Sequence, residues 1–171
     1  MPTAMIIGAS RGIGLELARQ YAAAGWRVHA TTRTPAQPGA LGALGGEVTI
    51  HALDVRNASQ LETLVQAVAT EGIDVLIHNA GVAARGLGTE EVRRINTEAP
   101  IRVAQALLPA VTRSCEKKLV LVTSQLGARR GSTGSLGLYG DSKAELNDAF
   151  RAHAAAWGRG DCRARRRTRP S

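Results

Sequence analysis

The start of the chain places a short apolar segment directly before a glycine turn and a helical pattern. The run Ala4-Met-Ile-Ile7 has the length and uniform hydrophobicity of a buried parallel strand. Glycine then stands at 8, 12 and 14, and apolar residues recur every three or four positions. In this setting the turn can approach a pyrophosphate closely, and the helix N-terminus offers free N–H groups. The segment therefore favours a phosphate site, with a plain tight turn as the alternative, because Leu17 stands where a Gly-x-Gly-x-x-Gly motif has its last glycine.

Four further apolar segments alternate with helical patterns. Strands are predicted at 26–31, 47–53, 73–78 and 119–123, and helices at about 61–68, at 89–111 and around Tyr139. Strands that alternate with helices predict an α/β fold with a doubly wound parallel sheet. Pro100 and Pro109 predict a kink or break in the helix 89–111. Residues 34–46 and 125–138 are predicted to be loops, the second of them mobile.

Length and charge limit the classes of function. A chain of 171 residues suits one domain. Residues 1–150 hold 15 Lys and Arg against 13 Asp and Glu, a net charge of +2, so most of the total of +8 lies in the last residues. With few aromatic side chains as well, the domain lacks the features of a specific nucleic-acid site.

There is no secretory signal or membrane-length apolar run, which predicts a soluble, cytoplasmic protein. Two cysteines are too few for a disulfide framework or a metal cluster.

The ends of the second and third predicted strands carry charged residues. Arg33 follows the second strand, where an NAD site often has an acidic residue, and Arg11 lies in the glycine turn. Two guanidinium groups suit a 2′-phosphate, so the sequence predicts NADP(H) in preference to NAD(H), with two solvated surface arginines as the alternative. Asp54 and Val55 end the third strand. Asp54 can accept a hydrogen bond from an adenine amino group, with Val55 against the ring, or it can cap the next helix.

A tyrosine and a lysine one helical turn apart are the strongest candidate for chemistry. Tyr139 and Lys143 are four residues apart and would share a helix face. A nearby positive charge favours a phenolate, and a tyrosine tuned in this way can give a proton to a carbonyl or take one from an alcohol. The spacing alone also arises by chance. Small residues after the fourth strand, Asn79-Ala-Gly81, would let a ligand ribose lie close.

The glycine turn, Asp54, the Asn79-Ala-Gly81 segment and the pair Tyr139 and Lys143 occur in the order found in the short-chain dehydrogenase/reductase family, which the chain resembles over residues 3 to about 158. Within the family, the chain most resembles the C-factor-like and sniffer-like carbonyl reductases. The resemblance implies a Rossmann-like, three-layer α/β/α fold. It implies a catalytic tetrad of Asn96, Ser124, Tyr139 and Lys143. The cofactor-binding residues that it and the strand-end analysis imply are Gly8, Ser10, Arg11, Gly12, Ile13, Gly14, Arg33, Asp54, Val55, Asn79, Ala80, Gly81, Tyr139 and Lys143.

The resemblance also implies a role for each catalytic residue. Tyr139 is the general acid or base, and Ser124 hydrogen-bonds the substrate oxygen. Lys143 favours the phenolate of Tyr139 and holds the nicotinamide ribose, while Asn96 supports a water that relays protons to Lys143. The implied function is that of an oxidoreductase acting on a small carbonyl or alcohol with NADP(H), and the implied assembly is a homo-oligomer.

The end of the chain departs from the family pattern. After the helix of Tyr139 the family continues with a sixth strand, a substrate loop and a seventh strand, whereas residues 159–171 are arginine-rich and are expected to be disordered. We expect residues 1–158 to form the domain, with its last strands lacking and the fifth strand at a sheet edge. A reading-frame change, or a naturally shortened chain that pairs this edge with a partner, would explain the difference. The alternative function is that of a cofactor-binding but catalytically impaired regulatory or scaffold protein.

Overall fold

A computed structural model of the chain describes residues 1–128 and 137–157. Within these residues five strands form one parallel sheet in the order β3-β2-β1-β4-β5. The strands are β1 Thr3–Ile7, β2 Arg27–Thr32, β3 Val48–Ala52, β4 Val75–His78 and β5 Lys118–Leu121. The α-helices are α1 Gly12–Ala23, α2 Ala58–Ala67, α3 Thr89–Arg93, α4 Ala99–Thr112 and α5 Gly137–Trp157. The predicted parallel α/β fold is confirmed, and the tail 159–171 lies outside the described residues.

The strand order creates a crevice beside β1. From β1 the chain moves outward through β2 and β3, and it then crosses over to β4 and β5 on the other side. Ile6 accordingly pairs with Ala30 on one side and with Ile77 on the other. The connections that leave β1 and β4 diverge at this point, which is where open α/β sheets bind ligands.

Helices cover both faces of the sheet, as a three-layer fold requires. On one face, Ile6 and Val28 pack against Ala18 of α1 in a buried cluster. On the other face, a larger cluster joins β1 and β4 to α2 and α4, and it includes Leu64 and Leu107. Successive side chains of β1 point to opposite faces of the sheet, and all five residues are buried because helices cover both faces. The sequence of β1 therefore does not alternate between polar and apolar residues.

The predicted helix 89–111 is interrupted before Pro100 and continues through Pro109. A π-helical turn, Arg94–Glu98, separates α3 from α4, and Pro100 lies in the first turn of α4. Pro100 has no N–H, so the carbonyl group of Asn96 lacks its usual helical donor four residues on. Proline is tolerated in a first turn, which accounts for the position of the interruption.

The two predicted loops contain local structure. Residues Gly39–Ala43 and Gln125–Gly127 form 3-10 turns, and α5 begins at Gly137, two residues before Tyr139. Residues 129–136 of the second loop, whose mobility was predicted, lie outside the described residues.

In the described part of the chain β5 is at one edge of the sheet, as expected from the sequence. Its Val120 is 42% exposed, which is unusual for an apolar strand residue of a parallel sheet. The described helices include none with the length and hydrophobicity to cross a membrane.

Candidate active site

A cleft of about 460 Å³ opens at the carboxyl ends of β1, β2 and β4. Of the predicted cofactor-binding residues, ten line it: Gly8, Ser10, Arg11, Gly12, Arg33, Asp54, Val55, Asn79, Ala80 and Gly81. Ile13 is 64% exposed at the start of α1, and Gly14 is buried below the turn. Tyr139 and Lys143 are not among the residues that line this cleft.

The glycine turn and the Asn79-Ala-Gly81 segment contact each other directly. Gly8 has a φ of +83°, and a Cβ there would lie 2.8 Å from the Cα of Ala80, so only glycine fits at this position. Asn79 Nδ2 donates a hydrogen bond of 2.9 Å to the carbonyl oxygen of Gly8. The backbone N–H groups of Asn79 and Ala80 both donate to the carbonyl oxygen of Ile7. Asn79 therefore fixes the shape of the glycine turn.

The start of α1 has the character of an anion site. Arg11, which precedes the helix, has an extended backbone, and no side chain caps the first turn. The first N–H groups of α1 are therefore left for a ligand, and the helix dipole is positive at this end. The exposed side chains of Arg11 and Arg33 line the same cleft, and neither forms an ion pair with another described residue. A glycine turn, an uncapped helix start and two arginines fit a dinucleotide phosphate.

Asp54 is held by an arginine that the sequence analysis did not consider. Its Oδ1 accepts from the backbone N and Nε of Arg56, both at 2.9 Å, and its Oδ2 accepts from Arg56 Nη2 at 2.6 Å. The hydrogen bonds from Arg56 lower the pKa of Asp54 to about 2. A carboxylate has about four acceptor sites, so Oδ2 keeps one for an adenine amino group. The alternative interpretation of Asp54 as a helix cap is wrong, since Asn57 accepts from Gln60 N at the start of α2.

Asn96 is completely buried in the π-helical turn, and its side chain makes three hydrogen bonds. Its Oδ1 accepts from Val82 N, and its Nδ2 donates to the carbonyl oxygen of Val82, each over 2.9 Å. Nδ2 also donates to Ser142 Oγ at 3.1 Å, and that hydroxyl donates to the carbonyl oxygen of Tyr139 at 2.7 Å. Asn96 thus links the segment after β4 to the start of α5.

Lys143 lies between the ends of two strands. The residue is 4% exposed, and its Nζ donates a hydrogen bond of 3.2 Å to the carbonyl oxygen of Val122. A Cβ on Gly81 would lie 3.4 Å from Lys143 Nζ and 3.1 Å from Asn96 Oδ1, so these two side chains meet beside Gly81. Lys143 Nζ is 5.9 Å from the centre of the Tyr139 ring. Burial lowers the pKa of Lys143 below its usual value.

Ser124 lies two residues after Val122 and three residues after Leu121, the last residue of β5. Its Oγ accepts a hydrogen bond of 3.2 Å from Leu126 N and so begins the 3-10 turn at Gln125. A hydroxyl that accepts in this way still has its O–H to donate to a substrate oxygen. Asn96, Tyr139 and Lys143 are therefore joined by contacts, and Ser124 is connected to them through the chain that leaves β5.

Two further residues that the sequence analysis missed, besides Arg56, border the site. His78, the last residue of β4, is 2% exposed, and its Nε2 has no hydrogen-bond partner among the described residues. Burial, and secondly the charge of Lys143, lower the pKa of His78 to about 3. Arg102 of α4 donates a hydrogen bond of 2.5 Å to the carbonyl oxygen of Val55. His78 could have been predicted from its position directly before Asn79 in the sequence. No feature of the sequence indicated Arg102.

Comparisons with known proteins agree with this geometry. The family profile described as short chain dehydrogenase matches residues 2–163. Galactitol 2-dehydrogenase of Agrobacterium fabrum is 33% identical over 171 residues, which cover 90% of this chain and 63% of that protein. A tropinone reductase homolog of Arabidopsis thaliana is 29% identical over 94% of this chain and 65% of its own length. The chain thus spans less than two thirds of the length of these curated relatives.

Solved structures show the same fold. A carbonyl reductase from Pseudomonas aeruginosa PAO1, crystallised in complex with NADP, superposes with a TM-score of 0.80 at 30% identity, over 91% of this chain and 76% of that chain. A short-chain dehydrogenase/reductase from Burkholderia multivorans with bound NADP gives a TM-score of 0.78 at 26% identity, over 92% of this chain and 74% of that chain.

Proposed function

Because the chain belongs to the short-chain dehydrogenase family, we propose that it transfers a hydride between NADP(H) and a carbonyl or alcohol substrate. The observation that carries the proposal is the meeting of Asn96 and Lys143 beside Gly81, with the Tyr139 ring 5.9 Å from Lys143 Nζ. Gly81 lines the cleft that also holds an uncapped helix start and two arginines. When bound, the nicotinamide supplies the carbon that carries the hydride, and the protein orients it.

Tyr139 gives a proton to the carbonyl oxygen in reduction and takes one from the alcohol in oxidation. Ser124 donates its O–H to the same oxygen and stabilises the negative charge that develops there. Lys143 is buried, with its Nζ 5.9 Å from the centre of the Tyr139 ring, and it holds the nicotinamide ribose. Each role is a proposal for this chain.

Asn96 supports the proton path through its backbone. Its side chain is fully engaged with Val82 and Ser142. Pro100, four residues on, has no N–H to donate to the carbonyl group of Asn96, and we propose that this oxygen binds a water. A water there would pass protons between solvent and Lys143.

We propose NADP(H) in preference to NAD(H). Arg11 and Arg33 line the cleft, are exposed, and have no ion-pair partner among the described residues, which supports their use for a 2′-phosphate. Residues 1–158 as one cofactor-binding domain, a small carbonyl or alcohol substrate, and a homo-oligomeric assembly are further proposals.

A thermal-shift titration of the purified chain with NADPH and with NADH tests the cofactor site. We expect a rise in melting temperature with both cofactors, at a lower concentration for NADPH, because a ligand that binds only the folded state stabilises it. Equal half-saturation concentrations would reject the 2′-phosphate assignment, and the absence of any shift would reject the site.

Turnover on a panel of aldehydes and ketones, followed by NADPH absorbance, tests the reaction. Consumption of NADPH that depends on substrate supports an oxidoreductase. Cofactor binding without turnover on any member would instead support the second function, a cofactor-binding protein with regulatory or scaffold activity, which the exposed Val120 at the sheet edge favours.

A further inference from the structure

We infer that Arg56 determines cofactor affinity at the adenosine end of the cleft, because it neutralises two carboxylates that line the cleft, Asp54 and Glu91, and fixes the loop after β3. The inference rests on the proposed function and adds a positioning residue to it. Arg56, Asp54 and Glu91 all line the same cleft as the glycine turn.

The geometry around Arg56 is that of a charge-assisted clamp. Nε and Nη2 bind the two oxygens of Asp54 at 2.9 and 2.6 Å, which is the paired arrangement in which guanidinium matches carboxylate. Nη1 binds Glu91 Oε1 at 2.7 Å from the other side. The side chains are 41%, 24% and 32% exposed for Arg56, Asp54 and Glu91, so the cluster lies at the mouth of the cleft and is partly shielded from water.

Arg56 also joins the two walls of the cleft. Asp54 belongs to the loop after β3, whereas Glu91 belongs to α3, which leads into the π-helical turn of Asn96. The same loop is held from α4 by Arg102, which donates to the carbonyl oxygen of Val55. The loop at the predicted adenine position is therefore fixed from both sides, and a preformed loop loses less conformational entropy when a ligand binds.

The positive charge of Arg56 should raise the affinity of the cleft for an anionic cofactor. A dinucleotide with a 2′-phosphate brings several negative charges into the cleft, and Asp54 and Glu91 would repel them. With Arg56 in place both carboxylates are compensated, so the charges of Arg11 and of Arg33, which acts on Asp54 from a longer distance, face the phosphates. Replacing Arg56 by a neutral residue would remove the ion-pair partner of Glu91 and leave Asp54 with only the more distant charge of Arg33, which is unfavourable near an anion in a partly desolvated site.

The test is a set of charge variants measured by NADPH binding, which needs no turnover. Arg56→Gln should raise the Kd for NADPH about five- to tenfold at low ionic strength. Glu91→Gln should bind NADPH as tightly as the wild type or more tightly. The double variant Arg56→Gln/Glu91→Gln should recover part of the loss, because one of the two exposed negative charges is gone. Arg19→Gln, which breaks the exposed pair of Arg19 with Glu16 on α1, is the matched control and should leave the Kd unchanged.

Two further measurements separate a charge effect from a folding defect. The loss in Arg56→Gln should shrink at about 0.5 M salt, where charges are screened beyond about 4 Å, whereas a misfolded loop would not recover. With fragments as probes, adenosine 2′,5′-bisphosphate should bind more weakly to Arg56→Gln, while nicotinamide mononucleotide should bind equally to both proteins.

The outcomes are distinct. Binding by Arg56→Gln within about twofold of the wild type overturns the role of Arg56 and leaves the proposed function intact. A double variant as weak as Arg56→Gln overturns charge compensation as its mechanism. A wild type that binds neither NADPH nor adenosine 2′,5′-bisphosphate overturns both this inference and the proposed function.

Discussion

The Lys143 ammonium donates a hydrogen bond of 3.2 Å to the carbonyl oxygen of Val122, and this bond fastens helix α5 to the chain leaving β5. Tyr139 lies one helical turn before Lys143, and Ser124 lies two residues after Val122. One contact therefore sets the positions of the phenol and of the hydroxyl that would meet at a substrate oxygen.

Replacing the phenol should separate chemistry from cofactor binding. We expect Tyr139→Phe to lower kcat by at least about 100-fold, since the general acid is lost while the ring beside Lys143 remains. The Kd for NADPH should stay nearly unchanged. Tyr21→Phe is the control, because that tyrosine packs against Trp26 at 4.9 Å between ring centres and is not a predicted site residue. Full activity of Tyr139→Phe would remove Tyr139 from the mechanism.

The arginine after β2 should decide between the two cofactors. We expect Arg33→Gln to weaken NADPH binding about tenfold, the value of one charge-assisted contact, and to leave NADH binding unchanged. Thermal-shift titrations with both cofactors measure the two affinities. Arg151→Gln removes another exposed arginine, on α5, and should change neither the Kd for NADPH nor that for NADH. A parallel loss for NADPH and NADH would mean that Arg33 does not contact the 2′-phosphate.

The buried Asn96 side chain should stabilise the fold more than a helix cap does. Asn96→Ala leaves both backbone groups of Val82 without the Asn96 side chain, and the Ser142 hydroxyl loses the bond it accepts while it keeps its bond to the carbonyl oxygen of Tyr139. The free energy of unfolding should therefore fall by about 2–4 kcal/mol. Asn57→Ala removes only the cap of α2 and should cost about 1 kcal/mol. Urea unfolding of the wild type, Asn96→Ala and Asn57→Ala measures the three free energies of unfolding. A smaller loss for Asn96→Ala than for Asn57→Ala would contradict the burial of this network.

His78 should make the protein sensitive to acid. The pKa of His78 is lowered to about 3 in the folded state, whereas in an unfolded chain it is about 6.5. Between these values the unfolded state binds more protons, so the free energy of unfolding falls as the pH decreases, by up to about 1.4 kcal/mol per pH unit. His78→Leu removes this term, and stability profiles of the two proteins should run parallel above pH ~7 and diverge below pH ~6.5.

A second histidine, His51, should also contribute to the acid sensitivity of the protein. Burial, and secondly the charge of His29, also lower the pKa of His51, so a smaller acid sensitivity should remain in His78→Leu. Profiles that stay parallel down to pH ~4 would show that His78 is protonated without cost in the folded protein.

The local patterns of the sequence were sufficient to predict the fold and most of the cleft. A buried parallel strand reads as an uninterrupted apolar run, and the residues that follow such strands meet at one edge of the sheet. For this reason Gly8 and Asn79, which are 71 residues apart, were both predicted at the site and are in contact.

Local sequence patterns did not predict the contacts that depend on how two strands pair or on how far a long side chain extends. His29 Nδ1 and His51 Nε2 are 2.9 Å apart, a contact that follows from the pairing of Thr31 with His51. Arg56 reaches Glu91 across 35 residues, and nothing in the spacing of charges indicates such a pair. The interruption at Pro100 was predicted, but the π-helical turn was not, because it depends on how the buried Asn96 side chain is held.

The central position of β1 has a consequence for synthesis of the chain. Its five buried residues pair with β2 on one side, but on the other side they need β4, which ends at His78. A growing polypeptide therefore exposes one open edge of a largely apolar strand until that residue has left the ribosome, and such edges are prone to aggregate. Translation pauses between α1 and β4 would prolong this state, so production of the protein should depend on chaperone supply and on the rate of elongation through that interval.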